Sequence, residues 1–303
     1  MMRRAWVSVL FLFLLEGTGL AQELKAEEYF RQANDAFMEG GYDKAVELYQ
    51  KALEVKADLK EAWYNMGAAY GQLRQYEKEM QCYEKALVLD PAYSRAHYNL
   101  ALALEDSGRF DEALVQYQET LKGEPEALDA LVNLGILLSR LERLDQAEET
   151  YKKALAVSPG EADVYYNLGI VYAKRARKAA AEDEKKKWLQ EEVGAYAKAI
   201  ELKPSFYKAC YNLALAYNKL GDLDSEIAAY EKALAIKRTY PEGLYNLAYA
   251  WEEKGNIEKA IENWKLYLEV AAKFESEKPF VEIAQRELKR LQEQGQGKPG
   301  SGQ

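Results

Sequence analysis

WYNMGAAYGQLRQYEKEMQCYEKALVLDP, the stretch from Trp63 to Pro91, decides the fold of this chain. Its first half places Trp63, Met66, Gly67 and Tyr70 at i, i+3, i+4 and i+7, the apolar stripe of one face of an α-helix. Its second half carries Tyr83 and Ala86 and stops at Pro91, which cannot continue a helix interior. One stretch therefore specifies a pair of helices.

The pair recurs along the chain. A column of small residues stands at Ala33, Gly67, Ala101, Gly135, Gly169, Ala214 and Ala248, spaced 34, 34, 34, 34, 45 and 34. A column of large aromatics stands at Tyr49, Tyr83, Tyr117, Tyr151, Tyr196, Tyr230 and Trp264, and absorbs the same 11-residue excess in the same unit. Gly40, Gly108, Gly221 and Gly255 mark breaks between helices, and Pro91, Pro125, Pro159 and Pro204 mark ends. The small column leaves room where helices cross, so that the aromatic of the neighbouring helix can fill it. Ala45, Ala113, Ala147 and Ala260 suit the same role, and Glu79 and Glu226 replace that Ala in two units. There the packing is expected to weaken, or the carboxylate to reach the edge.

These columns resemble the tetratricopeptide pattern of Trp, Leu-Gly, Tyr, Ala, Phe and Pro, matched most fully by Trp63, Met66-Gly67, Tyr70, Tyr83, Ala86 and Pro91. The resemblance implies an all-α fold, a right-handed superhelical solenoid of about seven helix pairs with a concave groove lined by the first helices. The array occupies 22–271, with units near 26–59, 60–93, 94–127, 128–161, 162–206 with the insertion, 207–240 and 241–271. Departures gather at the ends, as capping units require: Gln32 and Ala36 in the first, Tyr267 in the last. A C-terminal capping helix is expected over 279–293, with Phe280, Ile283, Ala284, Leu288 and Leu291 on one face, then a disordered tail over 295–303.

The residues three before and one after the small column lie four apart and share a face. The first set is Phe30, Tyr64, Tyr98, Val132, Tyr166, Tyr211 and Tyr245; the second is Asn34, Ala68, Leu102, Ile136, Ile170, Leu215 and Tyr249. The family places this face in the groove, and a solvent-facing apolar stripe of that length is a candidate recognition surface rather than core. Two before the small column stand Asn65, Asn99, Asn133, Asn167, Asn212 and Asn246. An amide both donates and accepts, so this row can hold the backbone of an extended peptide, as asparagine ladders do in some tetratricopeptide proteins. It can equally bind neighbouring turns of the array itself. The family's clamp for a terminal carboxylate needs basic residues where this chain has Phe30, Tyr64 and Tyr98, and is disfavoured.

The fifth unit holds 11 extra residues around Arg175 to Lys187, rich in helix formers and free of Gly and Pro. Both helices are expected to lengthen into a projecting hairpin. Arg175, Arg177 and Lys178, then Lys185, Lys186 and Lys187, make it basic; a solvated extension is the plain explanation, and docking of an acidic partner or membrane surface the alternative.

The N-terminus has the three parts of a signal peptide over 1–21: Arg3 and Arg4, the apolar run Ala5 to Leu15, and small Gly19 and Ala21. The run holds 11 residues where a membrane span needs about 20, so the expectation is cleavage after Ala21 and export, to a periplasm rather than the medium, with no integral anchor left behind. The net charge of −9 argues against nucleic acid as a partner. Cys82 and Cys210, in units far apart, read as free buried thiols. A single histidine, His97, no metal-ligand spacing and no phosphate-binding loop point away from an enzyme, a metal or any cofactor. The composite expectation is an exported scaffold that binds extended segments of partner proteins, in cell-envelope assembly, transport or maturation. Self-association into a homo-oligomeric scaffold is the alternative.

Overall fold

The computed structural model describes residues 2–296, with side chains for 19–294. Its described elements are all helical and fall into two compact units that divide at Leu141 and Glu142. The first unit holds α1 (Met2–Met38), α2 (Tyr42–Val55), α3 (Lys60–Gln72), α4 (Tyr76–Leu89), α5 (Ser94–Asp106), α6 (Phe110–Gly123) and α7 (Leu128–Arg140). The second holds α8 (Leu144–Val157), α9 (Ala162–Lys178), α10 (Glu182–Leu202), α11 (Tyr207–Leu220), α12 (Leu223–Ile236), α13 (Pro241–Glu253), α14 (Ile257–Ala271) and α15 (Lys278–Gln296). Within each unit, helices pack chiefly on their neighbours in sequence. The architecture is a helical repeat solenoid. Because α15 runs to Gln296, Gly295 and Gln296 belong to a helix rather than to the expected tail; 297–303 lie outside the described residues.

A left-handed residue ends the first helix of most pairs. Gly40, Gly108, Gly221 and Gly255 adopt φ of 75–79° there, and Arg74 and Glu142 occupy the same place in their repeats at 57° and 59°. For those two the conformation costs about 1 kcal/mol, since a Cβ crowds the following carbonyl. The fifth pair has no such turn: Ala176, 34 residues after Glu142, lies inside α9, which continues to Lys178. The inserted residues lengthen α9 to 17 and α10 to 21, against 13 in α5 and 14 in α6.

The aromatic column fills the interior. Tyr49, Tyr83, Tyr117, Tyr151, Tyr196, Tyr230 and Trp264 are all 2% exposed or less. A Cβ added to Gly67 would lie 2.7 Å from Tyr83 Cε1, and one on Gly169 only 2.4 Å from Tyr196 Cε1. The rings thus rest directly on helix backbone. Cys82 and Cys210 are buried free thiols in this core, and burial pushes Cys82 up to about 12, so it does not react as a thiolate.

The far end is closed by α15. Ala284 and Leu291 are fully buried, and Arg290 bridges Glu252 of α13 and Glu287 of its own helix. Tyr267 donates to Glu277 at 2.9 Å, which accounts for the large residue at that position: its hydroxyl ties α14 to the turn before α15.

Replacing Gly169 by Ala is expected to destabilise the protein by about 1–3 kcal/mol, because the Tyr196 ring must move. Gly194→Ala, in α10 with nothing within 4 Å of the new Cβ, is expected to stabilise by about 0.5–1 kcal/mol. Urea unfolding midpoints check both, and equal effects would remove the packing explanation.

Candidate protein-binding faces of the first helices

The asparagine row is wired into the array. Asn99 Nδ2 donates to the Tyr64 hydroxyl at 2.8 Å, Asn133 to Tyr98 at 3.0 Å, Asn212 to Tyr166 at 3.3 Å, and Asn246 to Tyr211 at 3.0 Å. Each bond joins successive first helices across a repeat boundary. In the first pair the tyrosine position is Phe30, which has no hydroxyl, and Asn34 supplies the acceptor instead: Asn65 donates to its Oδ1 at 2.9 Å. Asn167 follows Val132 by 35 residues, so the sequence offers it no hydroxyl in the equivalent place. Of the two uses the sequence left open, the amide donors serve the array. Their Oδ1 atoms and the hydroxyl protons keep capacity for a ligand.

The tyrosines of this row are half-buried. Tyr64 packs on Tyr83 and Tyr93, Tyr98 on Tyr117, Tyr166 on Tyr196 and Phe206, Tyr211 on Tyr230 and Tyr240, and Tyr245 on Trp264 and Tyr267. Desolvation raises Tyr98, Tyr166 and Tyr211 above the usual phenol range. Ile136 and Tyr249, one residue after the small column, are 40% and 38% exposed. Leu102, Ile170 and Leu215 in the same column are partly buried, at the walls of cavities.

In the first unit, Leu102 and Asn99 border a cavity of ≈ 690 Å³ with Glu79, Tyr83 and Asp106. Gly71 makes room for the Glu79 carboxylate, since a Cβ there would lie 2.6 Å from Oε1. No described cation pairs with Glu79, and burial raises it to about 7. Glu226 is 4% exposed, and Asn218 Nδ2 reaches both its oxygens at 3.1 Å. Each carboxylate has a matched neighbour on the first helix, Gly71 for Glu79 and Asn218 for Glu226. Sequence reading missed a third member of this column: Glu192, 34 residues before Glu226, which the longer fifth unit had moved out of the simple count.

Much of the basic insertion is paired, although Arg177, Lys178, Lys186 and Lys187 are exposed. Arg175 bonds Asp145 at 2.8 Å and Glu148 at 2.7 Å, and lies 4.5 Å from the Trp188 ring. Lys174 and Lys178 both reach Glu142, which they hold at about 2, far below the carboxylate range. Lys185 is 3.4 Å from Glu182, and Lys187 lies over Trp188. Arg177 and Lys186 make no ion pair among the described residues. The root of the hairpin is therefore anchored, and Arg177 and Lys185 line a cavity with Ile170, Asn212 and Leu215.

His97 is held at both ring nitrogens, by Gln116 of α6 at 2.7 Å and the Pro91 carbonyl before α5 at 3.0 Å. Among the described residues no group of His, Cys, Asp and Glu could hold a metal, and no helix is long and apolar enough to cross a membrane.

A solenoid of this repeat length, with its rings seated on glycine and alanine, defines a class of interaction repeats. Family models place the chain within it: TPR repeat over 34–74, Tetratricopeptide repeat over 61–93, and the middle TPR-like domain of cilia and flagella-associated protein 70 over 97–237. The chain is a tetratricopeptide repeat protein. Among solved structures, MamA is 29% identical, over 57% of this chain and 95% of its own, at a TM-score of 0.51. The C-terminal part of a TPR repeat-containing protein from Cytophaga hutchinsonii is 20% identical, over 82% of this chain and 97% of its own, at 0.68. YrrB, described as a TPR protein with an unusual peptide-binding site, is 20% identical, over 65% and 96%, at 0.55. No curated protein matches the sequence.

Glu79 supplies a pH test. The folded chain holds its proton more tightly than the unfolded chain does, so ionisation removes stability as pH rises from 4.5 to about 7. Glu79→Gln is expected to stabilise the protein above neutrality by about 1–2 kcal/mol, allowing for solvent screening, and to leave it unchanged at pH 4. Denaturant midpoints at the two pH values check this.

Proposed function

We propose that this protein is a protein–protein interaction scaffold whose first-helix faces hold extended segments of partner proteins. The observation that carries this reading is the asparagine–tyrosine ladder. It fixes a row of amide oxygens and phenol hydroxyls at repeat spacing, each beside an apolar residue such as Leu102 or Leu215. An extended peptide offers backbone N–H groups to such acceptors and side chains to the apolar positions between them. Preorganisation favours binding, since the ladder immobilises these side chains before a partner arrives. MamA at 29% identity supports the reading through the fold, and the peptide-binding site attributed to YrrB gives a precedent on the same fold.

The setting proposed is outside the cytoplasm, in assembly, transport or maturation of cell-envelope proteins. The support is the order of Arg3 and Arg4, the apolar run to Leu15 and the small residues before Gln22. N-terminal sequencing of protein recovered from its host is expected to begin at Gln22, and a start at Met1 would remove the export reading.

For the faces, peptides selected on the wild-type protein from a random displayed library are the probe. The triple variant Asn99→Ala, Asn133→Ala, Asn167→Ala is expected to bind them about tenfold or more weakly, at about 1 kcal/mol for each hydrogen bond lost or loosened. Unchanged affinity in a variant with a native circular dichroism spectrum would sink the ladder as a binding element.

A further inference from the structure

The second unit contains a cavity of ≈ 760 Å³ where the lengthened α9 and α10 meet α11. The chain carries a net charge of −9, yet the side chains around this space are Lys174, Arg177, Lys185 and Lys219 against Glu182 and Glu192. Ile170 and Leu215 supply an apolar wall that continues the row of the first helices. The equivalent cavity of the first unit is lined by Glu79 and Asp106 with a single cation, Arg74. There Asp106 holds the place, five residues after the small column, that Lys174 and Lys219 hold in theirs.

Glu192 organises the cation side. It is 2% exposed, its described partner is Lys219, and the ammonium lies 3.3 and 3.5 Å from its two oxygens. Burial raises the Glu192 carboxyl above the usual carboxylate range and Lys219 offsets part of that, so the ammonium lies over the carboxylate while the Lys219 side chain stays 42% exposed. An ammonium has three donors, and this contact leaves one or more for a ligand. Arg177, across the cavity on α9, makes no ion pair among the described residues and keeps its whole planar fork free.

We propose that this cavity is a specificity site for acidic side chains of a bound peptide: Arg177, Lys185 and Lys219 receive Asp or Glu carboxylates, and Ile170 and Leu215 receive an apolar neighbour. The inference rests on the reading that the first-helix faces bind extended segments, and it adds which segments the second unit selects. Glu192 acts as a positioning residue, and the insertion exists to bring Arg177 and Lys185 to the site.

The test is fluorescence anisotropy of the full chain with two labelled, C-terminally amidated peptides of equal length, LEDLEDLED and the neutral LQNLQNLQN. The acidic peptide is expected to bind about tenfold more tightly at low salt, with the gap narrowing at high salt as the charges are screened. In Arg177→Glu/Lys185→Glu, which keeps the Glu192–Lys219 pair, the preference should vanish while the neutral peptide binds as before; that unchanged binding also reports an intact fold. Equal binding of the two peptides to the wild type overturns the cavity proposal and leaves the binding faces standing. A preference that survives in the double variant overturns it too. Failure of both peptides to bind at millimolar concentration overturns the binding faces along with it.

Discussion

Everything in this structure depends on how closely two helices approach where an aromatic ring of one meets a glycine or alanine on the other. Tyr196 on Gly169 and Tyr83 on Gly67 leave no room for a single methyl group. That contact sets the spacing within a pair, and the spacing decides where the next first helix lies. The hydroxyl of Tyr64 then stands within hydrogen-bond distance of Asn99, and the same geometry returns at Tyr211 and Asn246. Close packing and polar ladder are successive results of one steric fact.

The ladder also ties successive first helices together. A buried amide donor without a partner would cost stability, and the ladder gives these amides partners inside the array. The first pair shows the constraint from the other side, because where Phe30 removes the hydroxyl, Asn34 restores an oxygen for Asn65. Tyr49 donates to the same oxygen at 2.6 Å, so Asn34 serves two donors at once.

The fold was legible in sequence because its cause is periodic: a 34-residue rhythm of small and aromatic positions admits few other interpretations. The polar sites were less legible. Asn99 and Tyr64 lie in separate columns 35 residues apart, and only the assembled array shows that they meet. Glu192 was hidden by the same insertion that the aromatic column had revealed. The basic insertion was readable as charge, but its partners were not. Glu142 and Glu148 belong to neighbouring elements, and they turn Lys174, Lys178 and Arg175 into anchors, while Arg177 and Lys186 of the insertion make no ion pair among the described residues.

The lengths of α9 and α10 carry a last consequence. Relative to α5 and α6 they gain four and seven residues, about one and two turns of α-helix. Growth by near-integral turns is what lets an added segment keep the buried seam of its parent: Ala176 follows Tyr172 on one helix, and Leu189 precedes Tyr196 on the other, all on the inward side. The chain could therefore lengthen one helix pair without renegotiating the contacts of any other repeat, a change that a modular array confines to one place.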